Sequence, residues 1–300
     1  MKFGIGQSVT RIEDKRLLTG NGIYNDDIFF ENQSYMYVLR SPHANAKILD
    51  IELSEALKTS GLIKIINWED IKRLSINNMK TTFLVKNRDG NEMINTTRHI
   101  LAKHYVRYVG DPILAIIAES LDIAEQVAEK IIINYEEFDS VTDISKAIQK
   151  NIITVRNEVS NNVCFDWELG DKKNTLKDIN SSKFKINIEL INNRLVPNPM
   201  ECRSTIGVYD DKNDEYTLHC SSQGVHSLKR KLSSIFNKNE DKIHVITKDV
   251  GGGFGMKIFN YPEYILSLAA SNIVQRPVKW KASRTESFLS DIHGRDHFSK

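Results

Sequence analysis

The sequence predicts an α+β protein made of two successive domains. Short β-type runs dominate residues 20–140, whereas strands alternate with amphipathic helices after about residue 185. The 300 residues, of which 40% are hydrophobic and 27% charged, can bury more than one small core. We therefore expect an N-terminal extension over residues 1–19, a domain over 20–145, a linker over 146–185 and a second domain over 186–300.

The first domain is predicted from three strand-like runs, SYMYVLRS, LIKIINW and ILAIIAES. The run LDIAEQVAEK follows the third of them with helical spacing, so that Ile123, Val127 and Ala128 would face a sheet. The strand-like run IIINYEEF comes next. Because a helix of about ten residues is just long enough for a crossover between parallel strands, this segment predicts a strand–helix–strand unit.

The second domain is predicted to open with the strand-like run KINIELINNRLV and the polar segment PNPMECR. A strand YTLHC, a helix, a strand KIHVIT, another helix and a strand PVKW follow. This alternation is typical of mixed α/β layers. The last residues read as the middle of a domain, so we expect the second domain to be incomplete.

Composition and charge exclude several classes of protein. The net charge of +2 comes from 41 basic and 39 acidic residues without a basic block, which argues against a nucleic-acid partner. No apolar run approaches the ~20 residues that a membrane span needs, and the first residues lack the apolar core of a signal peptide. Cys164, Cys202 and Cys220 lack the spacing of a disulfide framework, a zinc site or an iron–sulfur site. We expect a cytoplasmic protein.

The segment SSQG is the first candidate site. It lies between the strand YTLHC and a predicted helix that begins near residues 222–224, so the free N–H groups of the helix would face the end of the strand. Such a corner suits an anion or an oxo ligand, and Gln223 adds two amide donors. The alternative is that Ser222 only caps the helix.

The segment DVGGGFGMK is the second candidate site, and it also lies between a predicted strand and a predicted helix. Gly251, Gly252 and Gly253 expose consecutive N–H groups without a Cβ atom in the way, so the backbone can meet an anionic or oxo-bearing ligand closely. The run satisfies neither the P-loop pattern nor GxGxxG spacing. Taken alone, it is equally compatible with a structural turn.

Several motifs in the same order resemble the molybdopterin-binding large subunit of the xanthine dehydrogenase/aldehyde oxidase family, in particular the aerobic carbon monoxide dehydrogenase large chain. They are RIEDKRLLTG (11–20), LRSPHANAKI (39–48), RYVGDPILAIIAE (107–119), PNPMECR (197–203), SSQG (221–224), GGGFG with Lys257, and RPVKW (276–280) with the SRTESFLSD and HGRDH segments that follow. The match spans nearly the whole chain and corresponds to the N-terminal portion of such a subunit.

The resemblance implies an a/b hammerhead domain followed by the first part of a molybdopterin-binding domain. It implies oxidative hydroxylation of a small substrate (an aldehyde, an N-heterocycle or a CO-like molecule) with water as the oxygen source. The cofactor would be molybdenum–molybdopterin in its cytosine dinucleotide form. Electrons would pass to [2Fe–2S] clusters and FAD in partner subunits.

The resemblance also implies which residues contact the cofactor, without any of them binding the metal directly. They are Gln223, Gly224, Gly251, Gly252, Gly253, Phe254 and Gly255. The catalytic glutamate of the family belongs to a later motif, so we expect no catalytic base in this chain and no activity from the chain alone. Many purine- and aldehyde-oxidising members carry glutamate directly after the motif lysine, whereas Ile258 stands here, which disfavours xanthine as the substrate.

Other polar residues near these motifs have simpler interpretations. Glu201 is predicted to form a structural salt bridge with Arg203 or Arg194, and Lys257 to neutralise cofactor charge or to cap the turn. His293 and His297 stand four residues apart, as on one helical face, but HGRDH lacks the glutamate of the HExxH zinc motif.

The implied partners are an iron–sulfur small subunit, an FAD-binding medium subunit and a companion C-terminal large-subunit chain, arranged as a dimer of heterotrimers. Two alternatives remain open at this point. The chain could be an inactive fragment or scaffold that docks partner subunits, or a small-molecule binding protein that uses the Gly-rich loop.

Overall fold

The computed structural model describes residues 4–81 and 83–300. The strands in these residues are β1 (Ser34–Arg40), β2 (Ala46–Glu52), β3 (Leu62–Ile66), β4 (Tyr105–Val106), β5 (Pro112–Ala118), β6 (Ile132–Glu137), β7 (Leu190–Asn192), β8 (Ser204–Asp210), β9 (Glu215–Cys220), β10 (Ile243–Ile246), β11 (Val278–Lys281) and β12 (His297–Ser299). The helices are α1 (Asp14–Leu18), α2 (Trp68–Arg73), α3 (Leu121–Glu129), α4 (Ile144–Ala147), α5 (Lys172–Ser181), α6 (Val225–Phe236), α7 (Pro262–Val274) and α8 (Arg284–Ser290). Mixed sheets with separate helices confirm the predicted α+β class.

A seven-stranded sheet in the order β10–β9–β8–β11–β1–β5–β3 forms the centre of the molecule. Every residue of β5 is buried, as expected for an apolar run covered on both faces. Strand β1 pairs with β11 in parallel, with Ser34 opposite Val278, so strands from both sides of the predicted boundary share one sheet. The division of the chain near residue 145 stays a prediction.

Helices α6 and α7 cover the part of this sheet that carries the candidate site. Proline at the start of α7 suits the first turn, where its missing N–H costs nothing. Strand β8 approaches α7 so closely that a Cβ atom on Gly207 would lie 2.3 Å from the carbonyl carbon of Ser267. Helix α6 buries the apolar face that its spacing predicts, namely Leu228, Leu232, Ile235 and Phe236.

The predicted strand–helix–strand unit exists as β5, α3 and β6, but it is not a crossover within one sheet. Strand β6 pairs antiparallel with β2 in a separate three-stranded sheet that also contains β4. Val127 is buried and Ile123 and Ala128 are half-buried, so α3 does turn its predicted face inwards. Periodicity identified the face of the helix correctly but not the sheet that its neighbouring strand joins.

The segment KINIELINNRLV forms far less strand than predicted. Its strand is limited to Leu190–Asn192, which pairs with β12, and to a single bridge between Leu195 and Gly294, and residues 165–191 are exposed throughout. By contrast, β8 was not anticipated, because its small and polar residues Ser204, Thr205 and Gly207 mask a strand that is buried in the sheet. Among the described residues, no helix is both long and apolar enough to cross a bilayer.

Candidate functional site

The two candidate segments lie side by side because β9 and β10 are parallel neighbours. Tyr216 lies opposite Ile243 and His219 opposite Ile246, so the carboxyl ends of both strands meet at one edge of the sheet. The SSQG segment follows β9 and the Gly-rich segment follows β10. This edge, where loops and helix starts gather, is a common place for ligands in α/β structures.

Gln223 is bonded to the Gly-rich loop through both its backbone and its side chain. Its backbone N–H donates to the Lys257 carbonyl at 3.1 Å, and its Oε1 accepts the Lys257 N–H at 3.1 Å. The side chain is exposed, and its NH₂ group has no hydrogen-bond partner within residues 4–81 and 83–300. The amide oxygen is therefore fixed by the protein while the two N–H donors remain available.

The Gly-rich loop presents a run of unpartnered donors. The Gly251 N–H donates to Glu201 Oε2 at 2.8 Å, and the Met256 N–H donates to the Gly253 carbonyl at 2.9 Å. In the part of the chain that the structure describes, the N–H groups of residues 252–255 have no such acceptor. Four successive N–H groups without acceptors beside the Gln223 amide form a set of donors that could bind anions and oxo groups.

The glycines of this loop are required for two different reasons. A Cβ atom on Gly251 would lie 2.5 Å from Glu201 Cβ, and one on Gly253 would lie 2.4 Å from Gln223 Cδ. Gly252 and Gly255 have φ values of +100° and +83°, which other residues rarely adopt. Close approach therefore explains Gly251 and Gly253, and backbone conformation explains Gly252 and Gly255.

Phe254 is held in an unusual position. Its φ is +52° and its side chain is 74% exposed, although an aromatic residue gains from burial. A Cβ atom on Gly252 would lie 3.2 Å from its ring atom Cε2. Non-glycine residues held in this left-handed conformation cluster at active sites and ligand sites.

Ser222 joins the two segments, and it does so outside the helix proper. Gly224 is the residue before α6 and no side chain caps the first turn of the helix. The Ser222 hydroxyl accepts the Gly224 N–H at 3.1 Å and donates to the Lys257 carbonyl at 3.4 Å. Its main effect is to fix the corner that carries Gln223.

Lys257 and Glu201 form a buried ion pair beneath the loop. Lys257 Nζ lies 2.8 Å from Glu201 Oε2, and the lysine side chain is fully buried. Burial lowers the pKa of Lys257, and the charge of Glu201 opposes this shift. The predicted partners of Glu201, Arg203 and Arg194, were both wrong, because the Lys257 ammonium is the partner of Glu201.

Arg203 instead lies at the centre of a buried charge network that sequence reasoning missed. Its guanidinium donates to Glu263 Oε2 at 2.8 Å and pairs with Asp291, and it stacks 3.6 Å from the centre of the Tyr261 ring. Arg40 donates to the other Glu263 oxygen at 2.6 Å. The only signal in the sequence was a set of charged residues inside otherwise apolar segments, which does not reveal the pairing.

The two histidines of HGRDH do not share a helix. His293 lies in a loop, where its Nδ1 accepts a hydrogen bond of 2.8 Å from Arg194, whereas His297 begins β12. Nowhere in the described ranges do three or more His, Cys, Asp or Glu side chains gather as metal ligands.

The donor set therefore fits oxygen-rich groups of a cofactor rather than a metal bound directly by the protein. The nearest carboxylate and ammonium groups, Glu201 and Lys257, are already engaged with each other. What remains is the Gln223 amide and the N–H groups of residues 252–255, all of which donate and carry no charge. Such donors can orient oxo or phosphate oxygens and leave metal ligation to the cofactor.

Comparison with known families agrees with this geometry. Residues 19–139 match the a/b hammerhead domain of aldehyde oxidase and xanthine dehydrogenase. Residues 155–300 match the molybdopterin cofactor-binding domain. Together the two matches cover most of the chain and include both candidate segments.

Two curated relatives align with 98% of the chain. The nicotine 6-hydroxylase large subunit of Paenarthrobacter nicotinovorans is 32% identical over 98% of this chain and 35% of its own length. The carbon monoxide dehydrogenase large chain of Afipia carboxidovorans is 27% identical over 98% of this chain and 36% of its own length. The chain thus spans about a third of the length of these relatives.

Solved structures show the same fold. Quinoline 2-oxidoreductase from Pseudomonas putida 86 superposes with a TM-score of 0.87 and 29% identity, over 99% of this chain and 37% of its own. CO dehydrogenase from Oligotropha carboxidovorans gives a TM-score of 0.84 and 26% identity, over 98% of this chain and 37% of its own. The chain therefore belongs to the molybdenum hydroxylase large-subunit family, with a hammerhead domain followed by part of the molybdopterin-binding domain.

Proposed function

We propose that this chain forms the cofactor-facing part of a cytoplasmic molybdenum hydroxylase, which oxidatively hydroxylates a small substrate with water as the oxygen source. The observation that carries the proposal is the juxtaposition of the free Gln223 amide with four unpartnered N–H groups at residues 252–255. We also propose that the chain divides at residues 19, 145 and 185. The four parts are an N-terminal extension, a hammerhead domain, a linker and a molybdopterin-binding part.

The residues proposed to hold the cofactor act by hydrogen bonding and by packing. Gln223 would donate its NH₂ group to an oxygen ligand, since its Oε1 is already engaged with Lys257. The N–H groups of Gly252 to Gly255 would donate to further oxygens, and the exposed Phe254 ring would cover one side. The molybdenum–molybdopterin cofactor, in our proposal its cytosine dinucleotide form, supplies the two-electron redox chemistry when it is bound. Donors held in place before the reaction need no rearrangement as charge develops.

An apolar surface next to the loop favours an apolar substrate over a purine. Ile258 is 46% exposed directly after Lys257, at the place where many purine- and aldehyde-oxidising members carry a glutamate. Phe254 and Phe259 are exposed nearby. Two of the relatives are named for oxidation of quinoline and for hydroxylation of nicotine, both N-heterocycles. We propose that the substrate is an N-heterocycle of this kind, an aldehyde or a CO-like molecule. We name no catalytic base within this chain.

We propose that an iron–sulfur subunit and an FAD subunit accept the electrons. The large subunit, completed by a companion C-terminal chain, would form a dimer of heterotrimers with them. The test is to produce the 300 residues alone and together with a C-terminal large-subunit polypeptide, in a host that makes the cofactor. We expect molybdenum near one atom per chain, measured by elemental analysis, only in the co-produced assembly. Stoichiometric molybdenum in the isolated chain would contradict the need for a companion. An assembly without molybdenum would reject the proposal in favour of an inactive scaffold.

Replacing Gln223 by alanine in that assembly tests the proposed donor directly. Loss of one preorganised donor to a developing oxyanion costs about 10²–10³ in rate in well-studied sites. We therefore expect kcat to fall by this factor while the molybdenum content stays close to normal. Unchanged kcat in a fully loaded Gln223→Ala assembly would show that Gln223 only shapes the corner.

A further inference from the structure

The buried ion pair of Lys257 and Glu201 joins two segments that are far apart in the sequence. Lys257 Nζ donates to Glu201 Oε2 at 2.8 Å and to the Glu201 carbonyl at 3.0 Å, so one residue takes two of its three donors. The lysine side chain is fully buried and that of Glu201 is 12% exposed. The ammonium group is therefore not available to an external ligand, and its effect must be exerted on the loop.

The same two residues hold the loop at both of its ends. At the first end, the Glu201 N–H donates to the Gly251 carbonyl at 3.1 Å, and the Gly251 N–H donates to Glu201 Oε2 at 2.8 Å. At the last end, Lys257 and Gln223 exchange two backbone and amide hydrogen bonds of 3.1 Å each. The Lys257 side chain donates to Glu201, so the contacts among Glu201, Gly251, Lys257 and the loop between them form a closed ring.

We infer that Lys257 and Glu201 are positioning residues that set the distance between the Gln223 amide and the unpartnered N–H groups of the loop. This inference rests on the proposed function and adds two residues to it. Glu201 Oε1 is buried and has no hydrogen-bond partner among the described residues, so the carboxylate depends on its other oxygen alone. Removing either charge leaves the other buried without a partner of opposite charge, which is far more costly than removing both.

The test replaces Lys257 by methionine, which keeps the length of the side chain and removes the charge. Lys279→Met is the matched control, because Lys279 is also buried and pairs with Asp26 at 3.1 Å, but it lies on β11 outside the loop. Hydrogen exchange of the hydrogen-bonded loop amides, those of residues 251, 256 and 257, is measured in the 300-residue chain. We expect exchange at least about tenfold faster in Lys257→Met, since a charged hydrogen-bond partner is lost, and no change at these residues in Lys279→Met.

Two further measurements separate positioning from plain stability. The double variant Glu201→Gln/Lys257→Met leaves no unpaired charge, and the amide oxygen introduced at position 201 still accepts the Gly251 N–H, so exchange should return most of the way to the wild-type rate. In the co-produced assembly, the molybdenum content of Lys257→Met should fall, since losing a residue that orients metal-binding groups lowers metal affinity by about 10–100-fold. Equal loop exchange in Lys257→Met and in the control would overturn the inference. A wild-type assembly without molybdenum, combined with the expected exchange, would reject the proposed function but leave Lys257 and Glu201 as the residues that shape the loop.

Discussion

Replacing Gly253 by alanine tests whether the Gly-rich loop is shaped by its contact with Gln223. The new Cβ atom would lie 2.4 Å from Gln223 Cδ and 2.5 Å from Oε1, whereas ordinary contacts are 3.4–4 Å. The Gln223 amide must therefore move by about an ångström, which breaks its 3.1 Å hydrogen bond to the Lys257 N–H. Because the amide is the end of an exposed, flexible side chain, the neighbouring backbone can stay in place.

The expected loss of stability is correspondingly small. It equals about one hydrogen bond, or ~0.5–1.5 kcal/mol in the free energy of unfolding. Gly251→Ala should cost more, ~1–3 kcal/mol or above, because its Cβ atom would lie 2.5 Å from Glu201 Cβ, close to the backbone, where no side chain can rotate away. Gly294→Ala is the control, since nothing lies within 4 Å of its added Cβ atom. We therefore expect the order Gly251, Gly253, Gly294 from the largest loss to the smallest.

Urea unfolding of the three variants measures these losses, and a double-mutant cycle with Gln223→Ala tests their cause. When Gln223 is already alanine, the Gly253→Ala substitution meets no amide group and should cost almost nothing. An equal cost in both backgrounds would refute the steric explanation. In the co-produced assembly, Gly253→Ala should lower kcat as Gln223→Ala does despite its small effect on stability, because the donor is displaced, while the molybdenum content stays close to normal.

Other predictions concern the buried charges. Arg203→Met should lower the free energy of unfolding by about 3–5 kcal/mol, because Glu263 and Asp291 would stay buried without their partner. A urea midpoint equal to that of the wild type would contradict this. Burial raises the pKa of Glu263, but Arg203 and Arg40 outweigh it and hold the pKa at about 2. The stability that this shift provides is complete above the unfolded pKa of about 4.3 and is lost as the pH falls towards 2. Acid unfolding should therefore start between these two pH values. Burial raises the pKa of Asp111 to about 6, so its contribution is complete below about pH 4 and is lost as the pH rises through 6. Asp111→Asn should therefore flatten the stability profile between pH 4 and 6, and an unaltered profile would count against this assignment.

Local sequence was sufficient wherever local physics decides the structure. The apolar spacing of α6 and its start beside Gly224 were predicted because a helix must turn its apolar face to the core, and this apolar spacing begins directly after Gly224. The Gly-rich loop was recognised as a candidate site because consecutive glycines permit backbone conformations and close approaches that few other residues allow. The strands β9, β10 and β11 were predicted for a similar reason, since short apolar runs bounded by turn residues reveal them.

Pairing between distant segments was decided only by the tertiary structure. The sequence suggested Arg203 or Arg194 as the partner of Glu201, but the structure brings Lys257 to it and gives Arg203 to Glu263 and Asp291. Strand β6 likewise joins β2 rather than the sheet of β5. Periodicity and motifs report which face of an element is buried, whereas the partner of a charge or a strand depends on which elements become neighbours. The arrangement of neighbouring elements minimises the number of buried, unpaired polar groups over the whole chain. A short stretch of sequence does not contain the information that decides this arrangement.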